Sequence, residues 1–119
     1  YLQSAQQLSA QWILPYVLEA QAHAKLEKYS NAANAYRRVL QASPNHSVAH
    51  IELGLIEYKT FGHFESAESH LKKGLAKDAA PKSTLSRGYF GLAEIALKRS
   101  DQAQALSYAQ KAFSLNSSN

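Results

Sequence analysis

With 119 residues, 45% of them hydrophobic, and a formal net charge of +4, the chain has the bulk for one domain with a modest core and the composition of a folded one. The absence of cysteine excludes disulfides, thiolate metal sites and a cysteine nucleophile, and no apolar run approaches the roughly 20 residues that span a bilayer. Ala, Leu, Gln, Ser and Lys dominate while there are three Pro and five Gly, a mix that favours helix and lacks the β-branched runs of a sheet protein.

The charge is dispersed. Arg37-Arg38, Lys72-Lys73 and Lys98-Arg99 are pairs and not runs, so the dense basic stripe of a nucleic-acid binder is missing and nucleic acid is not an expected partner. Composition chooses no compartment, cytoplasmic or periplasmic. Tyr1 is not a translation start, and the chain reads as a segment of a longer protein.

Taken in order, Leu2, Ala5, Leu8 and Trp12 fall on one helical face, either the leftover second helix of a preceding repeat or an N-terminal cap. Proline is tolerated only in a helix's first turn, so Pro15 predicts a break near Leu14 and an N-terminal helix over 1–14. A first unit follows over 15–46. Its first helix runs to about Glu27, with Tyr16, Ala20, His23, Ala24 and Leu26 at helical spacing. Ser30 is expected to cap a second helix carrying Ala32, Ala35, Tyr36, Val39 and Leu40, stopped at Pro44.

The second unit, 47–81, opens on Ser47 as a cap. Its first helix holds Ile51, Leu53, Gly54, Leu55, Ile56 and Tyr58. Phe61-Gly62-His63 makes a turn one residue longer than in the first unit, and Ala67, Leu71, Gly74 and Leu75 mark the next helix, which ends at Asp78-Ala79-Ala80-Pro81. The third unit, 82–119, is entered through a connection over Lys82–Leu85. Tyr89, Phe90, Leu92, Ala93, Ile95, Ala96 and Leu97 line its first helix. Asp101 with Gln104 has capping-box spacing, and Ala105, Leu106, Tyr108, Ala109, Ala112 and Phe113 line the last helix before a polar tail from Ser114.

These units superpose. Ala20, Gly54 and Ala93, then Ala32, Ala67 and Ala105, then Leu40, Leu75 and Phe113 recur at roughly 34 to 39 residues, the mark of a helical solenoid with two helices per repeat. At these residues the chain resembles the tetratricopeptide repeat family over 13–119. Tyr16, Ala20, Ala32, Tyr36 and Pro44 match its pattern in the first unit, Leu53-Gly54, Ala67, Leu71 and Gly74 in the second, and Tyr89, Leu92-Ala93, Ala105 and Ala112 in the third. Glu19, Val39, His50, Ala79, Ala109 and Ser117 depart from it. The glycine-rich turn of the neighbouring sel1-like family is missing. The resemblance implies an all-α fold, a right-handed superhelical solenoid of helix pairs with an extra N-terminal helix. It also implies a protein-interaction scaffold without catalysis or cofactor.

In that family the inner groove is lined by the first helix of each pair. Carried over, those positions are Leu14, Val17, Gln21, Ala24 and Lys25; Val48, Ile51, Leu55, Tyr58 and Lys59; Arg87, Phe90, Glu94, Leu97 and Lys98. The expectation is a groove with an apolar middle (Val17, Val48, Ile51, Leu55, Tyr58, Phe90, Leu97) that takes an extended or helical peptide. A ladder of Lys25, Lys59 and Lys98 along one edge either steers acidic groups or is simply solvated, lysine being common there in the family pattern. A contiguous apolar face calls for a cover, and residues 1–12 are one candidate. The carboxylate clamp of chaperone-binding members is not expected, because of Val17, Gln21, Glu52, Arg87 and Gly91 at its positions only Arg87 carries the needed charge.

Catalytic patterns are poor. His46 and His50 are four apart, a spacing that can share a metal, but no third ligand is near in sequence, so no metal is expected. Glu27, Glu57 and Glu94 stand on separate helices without partners, and Gly88 and Gly91 fall in a helical pattern where they allow close packing. The alternative to peptide binding is self-assembly or docking within a larger assembly, an envelope assembly of bacteria by analogy.

Overall fold

A computed structural model describes the backbone of residues 2–76 and 80–117 and the side chains of residues 13–76 and 80–115. The face expected of Leu2, Ala5, Leu8 and Trp12 and the stop at Asp78-Ala79 lie outside the described side chains and residues. Among the described residues the chain is all-α: α1 (Leu2–Lys25), α2 (Tyr29–Ala42), α3 (Ser47–Ile56), a π turn (Glu57–Phe61), α4 (Phe64–Leu75), α5 (Lys82–Lys98) and α6 (Gln102–Ser117). They form three antiparallel pairs, α1/α2, α3/α4 and α5/α6, stacked in chain order through α2 on α3 and α4 on α5. The result is elongated, 49 × 30 × 25 Å.

No pair can bury its apolar face alone, and stacking buries it. Two cores result, one over α1, α2 and α3 around Ala20, Ala32, Tyr36, Val39 and Leu53, the other over α3, α4 and α5 around Ile51, Leu71, Leu75, Leu92 and Ile95. The recurring small residues sit at the crossings: Ala20, Ala32 and Ala67 are wholly buried, and a Cβ built on Gly54 would stand 2.9 Å from Leu71 Cγ. Two ion pairs tie the second helix pair to the third, Arg87 to Glu52 and Arg99 to Glu68, both at 2.7 Å. Ser86 donates to the Ala112 carbonyl at 3.0 Å inside the last pair.

Several boundaries differ from the sequence reading. Pro15 lies inside one continuous 24-residue helix. It removes one amide from the ladder, but it is exposed, so its ring meets no packed neighbour and the helix runs on through it. A continuous helix also carries residues 2–12 along the axis of α1 and not back across the groove. At α2 the cap position is Lys28, without a side-chain bond, and Ser30 is already helical. At α3 the cap is His46, whose Nδ1 accepts from the Ala49 amide at 3.2 Å, while Ser47 is the first, buried, helical residue. Lys82–Leu85 is the first turn of α5 and not a connection, and Ser114–Ser117 still belongs to α6. Asp101 caps α6 as expected, accepting from the Gln104 amide at 3.1 Å.

The first helix of each pair ends in a left-handed residue: Glu27 (φ 61°), Gly62 (φ 69°) and Ser100 (φ 61°). In the outer two, the amide after the left-handed residue reaches back across the last turn, Lys28 to the His23 carbonyl at 2.8 Å and Asp101 to that of Ala96 at 2.9 Å. With the Glu27–Ala24 and Ser100–Leu97 bonds at 3.0 Å each end is a Schellman motif. Only Gly62 is the residue that conformation favours. Glu27→Gly is therefore expected to raise stability by about 0.5–1 kcal/mol, read as a higher urea midpoint at unchanged slope. A lower midpoint would mean that the Glu27 side chain stabilises the corner.

Candidate concave-face binding site

The first helices of the three pairs carry the face on which the family's groove would lie, and the structure sorts the expected groove residues into two classes. Val17, Ile51, Leu55 and Tyr58 are buried in the two cores, and Val48 is half-buried against the second. The expected apolar middle is therefore mostly inside the protein: four of these side chains face the partner helices, which helical spacing alone could not distinguish from facing outward. Phe90 and Leu97 are exposed, Phe90 beside Ala109, Gln110 and Phe113 in a shallow apolar pocket of about 360 Å³.

Most of the polar residues of the set also reach open space. Between α1 and α3 lie two adjoining cavities. One, of about 320 Å³, is lined by Ala24, Tyr29, Glu52, Leu55, Ile56, Lys59, Thr60 and Arg87. The other, of about 470 Å³, is lined by Gln21, Ala24, Lys25, Tyr29, Glu52 and Arg87. Arg87 Nη1 donates to Glu52 Oε1 at 2.7 Å across the floor. This leaves Lys25 and Lys59 as cations without an ion-pair partner among the described residues. A third opening, between the π turn and α5, is framed by Tyr58, Lys59, Phe64, Glu94 and Lys98. There the Tyr58 hydroxyl donates to Glu94 Oε2 at 2.7 Å, and its titration is pushed up to about 12, by burial first and then by the Glu94 bond and charge. Lys98 lies over the Phe64 ring at 5.8 Å. Behind the first cavity, burial and then the Glu52 charge raise the titration of Tyr36 above its ordinary range.

The structure thus places Gln21 and Lys25 at one of the two adjoining openings, Lys59 at the other and Arg87 at both, with Glu94 and Lys98 at the third, which Lys59 also lines. Tyr29 and Thr60 line the opening without having been singled out. Tyr29 begins α2 and so carries no first-helix signal. Thr60 sits in the π turn, whose wider coil turns it by an amount the ordinary helical period does not give.

No three potential ligands come close enough to hold a metal ion among the described residues, and no helix is long and apolar enough to cross a membrane. In comparison with known proteins, the tetratricopeptide repeat model matches residues 23–87, more than half of the chain. Comparison with curated proteins gives no match.

Proposed function

Because this chain belongs to the tetratricopeptide repeat family, whose repeats generally mediate protein–protein interaction, we propose that it grips an acidic, extended or helical segment of a partner along the concave face. The carrying observation is the opening between α1 and α3. Lys25, Tyr29, Lys59, Thr60 and Arg87 supply donors around it, and its carboxylate, Glu52, is already neutralised by Arg87. Leu55, Ile56 and Ala24 supply an apolar floor. Such an opening attracts carboxylates at long range and seats an aliphatic side chain at short range. Lys98 extends the positive edge to the third repeat.

The test is binding of a short peptide of Glu and Leu, compared with its Gln-for-Glu and Lys-for-Glu counterparts. Lys25→Glu with Lys59→Glu, both exposed and free of the core, is expected to weaken the acidic peptide by tenfold or more, about 1.4 kcal/mol, and added salt to weaken it in the wild type. Unchanged binding by the folded double variant removes this reading.

A different observation supports self-assembly as a second reading. On α6, Leu106 and Phe113 are 60% and 69% exposed, in register with Ala33 and Leu40 of α2, which are buried in or packed against the first core. On α1, Leu14 and Leu18 are 64% and 55% exposed. The last helix of one copy could then stack on the first helix of another. Sedimentation equilibrium decides it: mass rising with concentration, and lost in Phe113→Ser, supports it, and a monomer throughout removes it.

A further inference from the structure

Behind the binding face, the loop before α3, the start of α3, the π turn and α4 are joined by a chain of titratable groups. His50 Nε2 lies 2.7 Å from the Pro44 carbonyl. His50 Nδ1 faces His70 Nδ1 at 3.0 Å, and His70 Nε2 faces Glu57 Oε1 at 3.3 Å. His63 Nδ1 stands 4.0 Å from the other Glu57 oxygen. His50 and Glu57 are buried, so water cannot replace a missing bond cheaply.

The protons in this chain can be counted. A carbonyl only accepts, so His50 Nε2 carries a proton. With both histidines neutral, His70 has one ring proton for two contacts, and can donate it to His50 Nδ1 or to Glu57 but not to both. One of the two is then acceptor against acceptor, either the Nδ1–Nδ1 contact or His70 Nε2 against Glu57. One added proton, held by His70 against the Glu57 carboxylate, satisfies all three contacts. A second, on His50, would set donor against donor at the Nδ1–Nδ1 contact. The arrangement is complete in one protonation state only.

Its output is the π turn. Glu57 opens that turn and is buried among the histidines, while Lys59 and Thr60, two and three residues on, line the cavity on the concave face. π turns of this kind insert one residue into an α-helix and concentrate at functional sites. We propose that His50, His70 and Glu57 form a proton-operated latch that fixes the π turn when His70 is protonated, and so sets Lys59 and Thr60 for partner binding. This rests on the reading of the concave face given above.

The groups facing His70 come from every packed element: Arg37 from α2, His50 from α3, Glu57 from the π turn and Lys73 from α4. His46 lies beside His50. Burial lowers the titration of His70, Glu57 opposes this, and His50, Lys73 and Arg37 add to the lowering. A histidine held below its unfolded value of 6.5 contributes stability above that pH and loses it as pH falls through 6.5 toward the folded value. Acid is therefore expected to lower the melting temperature while it closes the latch. By linkage, a partner that needs the latch closed raises the affinity of His70 for its proton.

The test needs no partner at first. With ¹⁵N-labelled histidine, neutral pH should show His50 protonated at Nε2 and His70 at one ring nitrogen, and acidification should load a single proton on the His50–His70 pair well before a second. Amide protection of Lys59 and Thr60, corrected for intrinsic rate, should rise with that step. Glu57→Gln supplies an amide donor to the bare His70 Nε2, so the variant should show the closed latch, with high protection, already at neutral pH and no further rise. If that variant does not fold, His70→Gln should hold protection flat with pH. Independent titration of the two histidines, or a π turn whose protection ignores pH in the wild type, overturns the latch. At a pH below the step located by the histidine spectra, the Glu/Leu peptide should then bind severalfold tighter than at pH 7.5 in the wild type and equally at both in Glu57→Gln. A wild-type affinity that does not change with pH overturns the link to binding. Failure of the peptide to bind at any pH counts against the concave-face reading instead, and the histidine spectra still decide the latch.

Discussion

Truncating Leu71 to alanine is expected to destabilise the protein by about 2–5 kcal/mol. Leu71 is wholly buried, and what it touches explains the size of the loss. On one side its Cγ occupies the space a Cβ of Gly54 would need, and on the other its Cδ1 stands 3.3 Å from where a Cβ of Gly91 would be. Two of the walls around it are glycine backbones of α3 and α5. Glycine has no side chain to swing into the space, so the site collapses poorly and the cavity term is paid nearly in full. For a domain of this size each kcal/mol lowers the melting temperature by roughly 3–6 °C, so a thermal melt should fall by roughly 6–30 °C. A loss under about 1 kcal/mol would mean that α3 and α5 close over the gap, and that the α3–α4–α5 junction is softer than its packing implies.

Gly74→Ala is the second. On an exposed helix this change stabilises by about 1 kcal/mol through propensity alone. Here a Cβ would stand 2.6 Å from Ile51 Cγ1, 2.8 Å from the Ser47 carbonyl and 3.0 Å from the Ile51 amide nitrogen. The Ile51 side chain could turn aside, but the other two atoms are backbone of α3 and can recede only if the whole helix shifts. Overpacking of this kind typically costs about 1–3 kcal/mol, and contacts this short belong to the upper part of that range, so the net expectation is a loss of about 1–2 kcal/mol. The discriminating measurement is the pair Gly74→Ala and Gly74→Ala with Ile51→Val. Partial recovery in the double variant would assign the strain to the side chain, and no recovery to the backbone. A more stable single variant would show that α3 and α4 do not approach this closely in solution.

The frame of the molecule was readable because it repeats. One alanine or glycine at a helix crossing says little, but Ala20, Gly54 and Ala93, or Ala32, Ala67 and Ala105, at matching offsets can only be the same joint made three times. The extra residue in the second unit was visible too, as a turn one residue too long. The fold takes it up as a π turn at Glu57–Phe61 and leaves the corner at Gly62 as short as the others. What could not be read was direction and distance. Val17, Ile51, Leu55 and Tyr58 have the spacing of one helix face, but spacing does not say whether that face meets a partner helix or water. Caps misled for a related reason. Ser30 and Ser47 are the residue type that caps helices, yet tertiary packing started α2 two residues earlier and gave the α3 cap to His46. The contact of His50 with His70 joins residues 20 apart on two different helices, and no local pattern announces it.

The stacking of pairs along one axis has a mechanical consequence. Each helix pair is held only by the pair before it and the pair after it, so tension applied at the two ends loads the junctions in series and not in parallel. Under pulling, the junction with the least buried surface yields first and its neighbours keep their shape. Length is then released in steps of one helix hairpin, and a partner lying across two pairs acts as a splint over the joint between them.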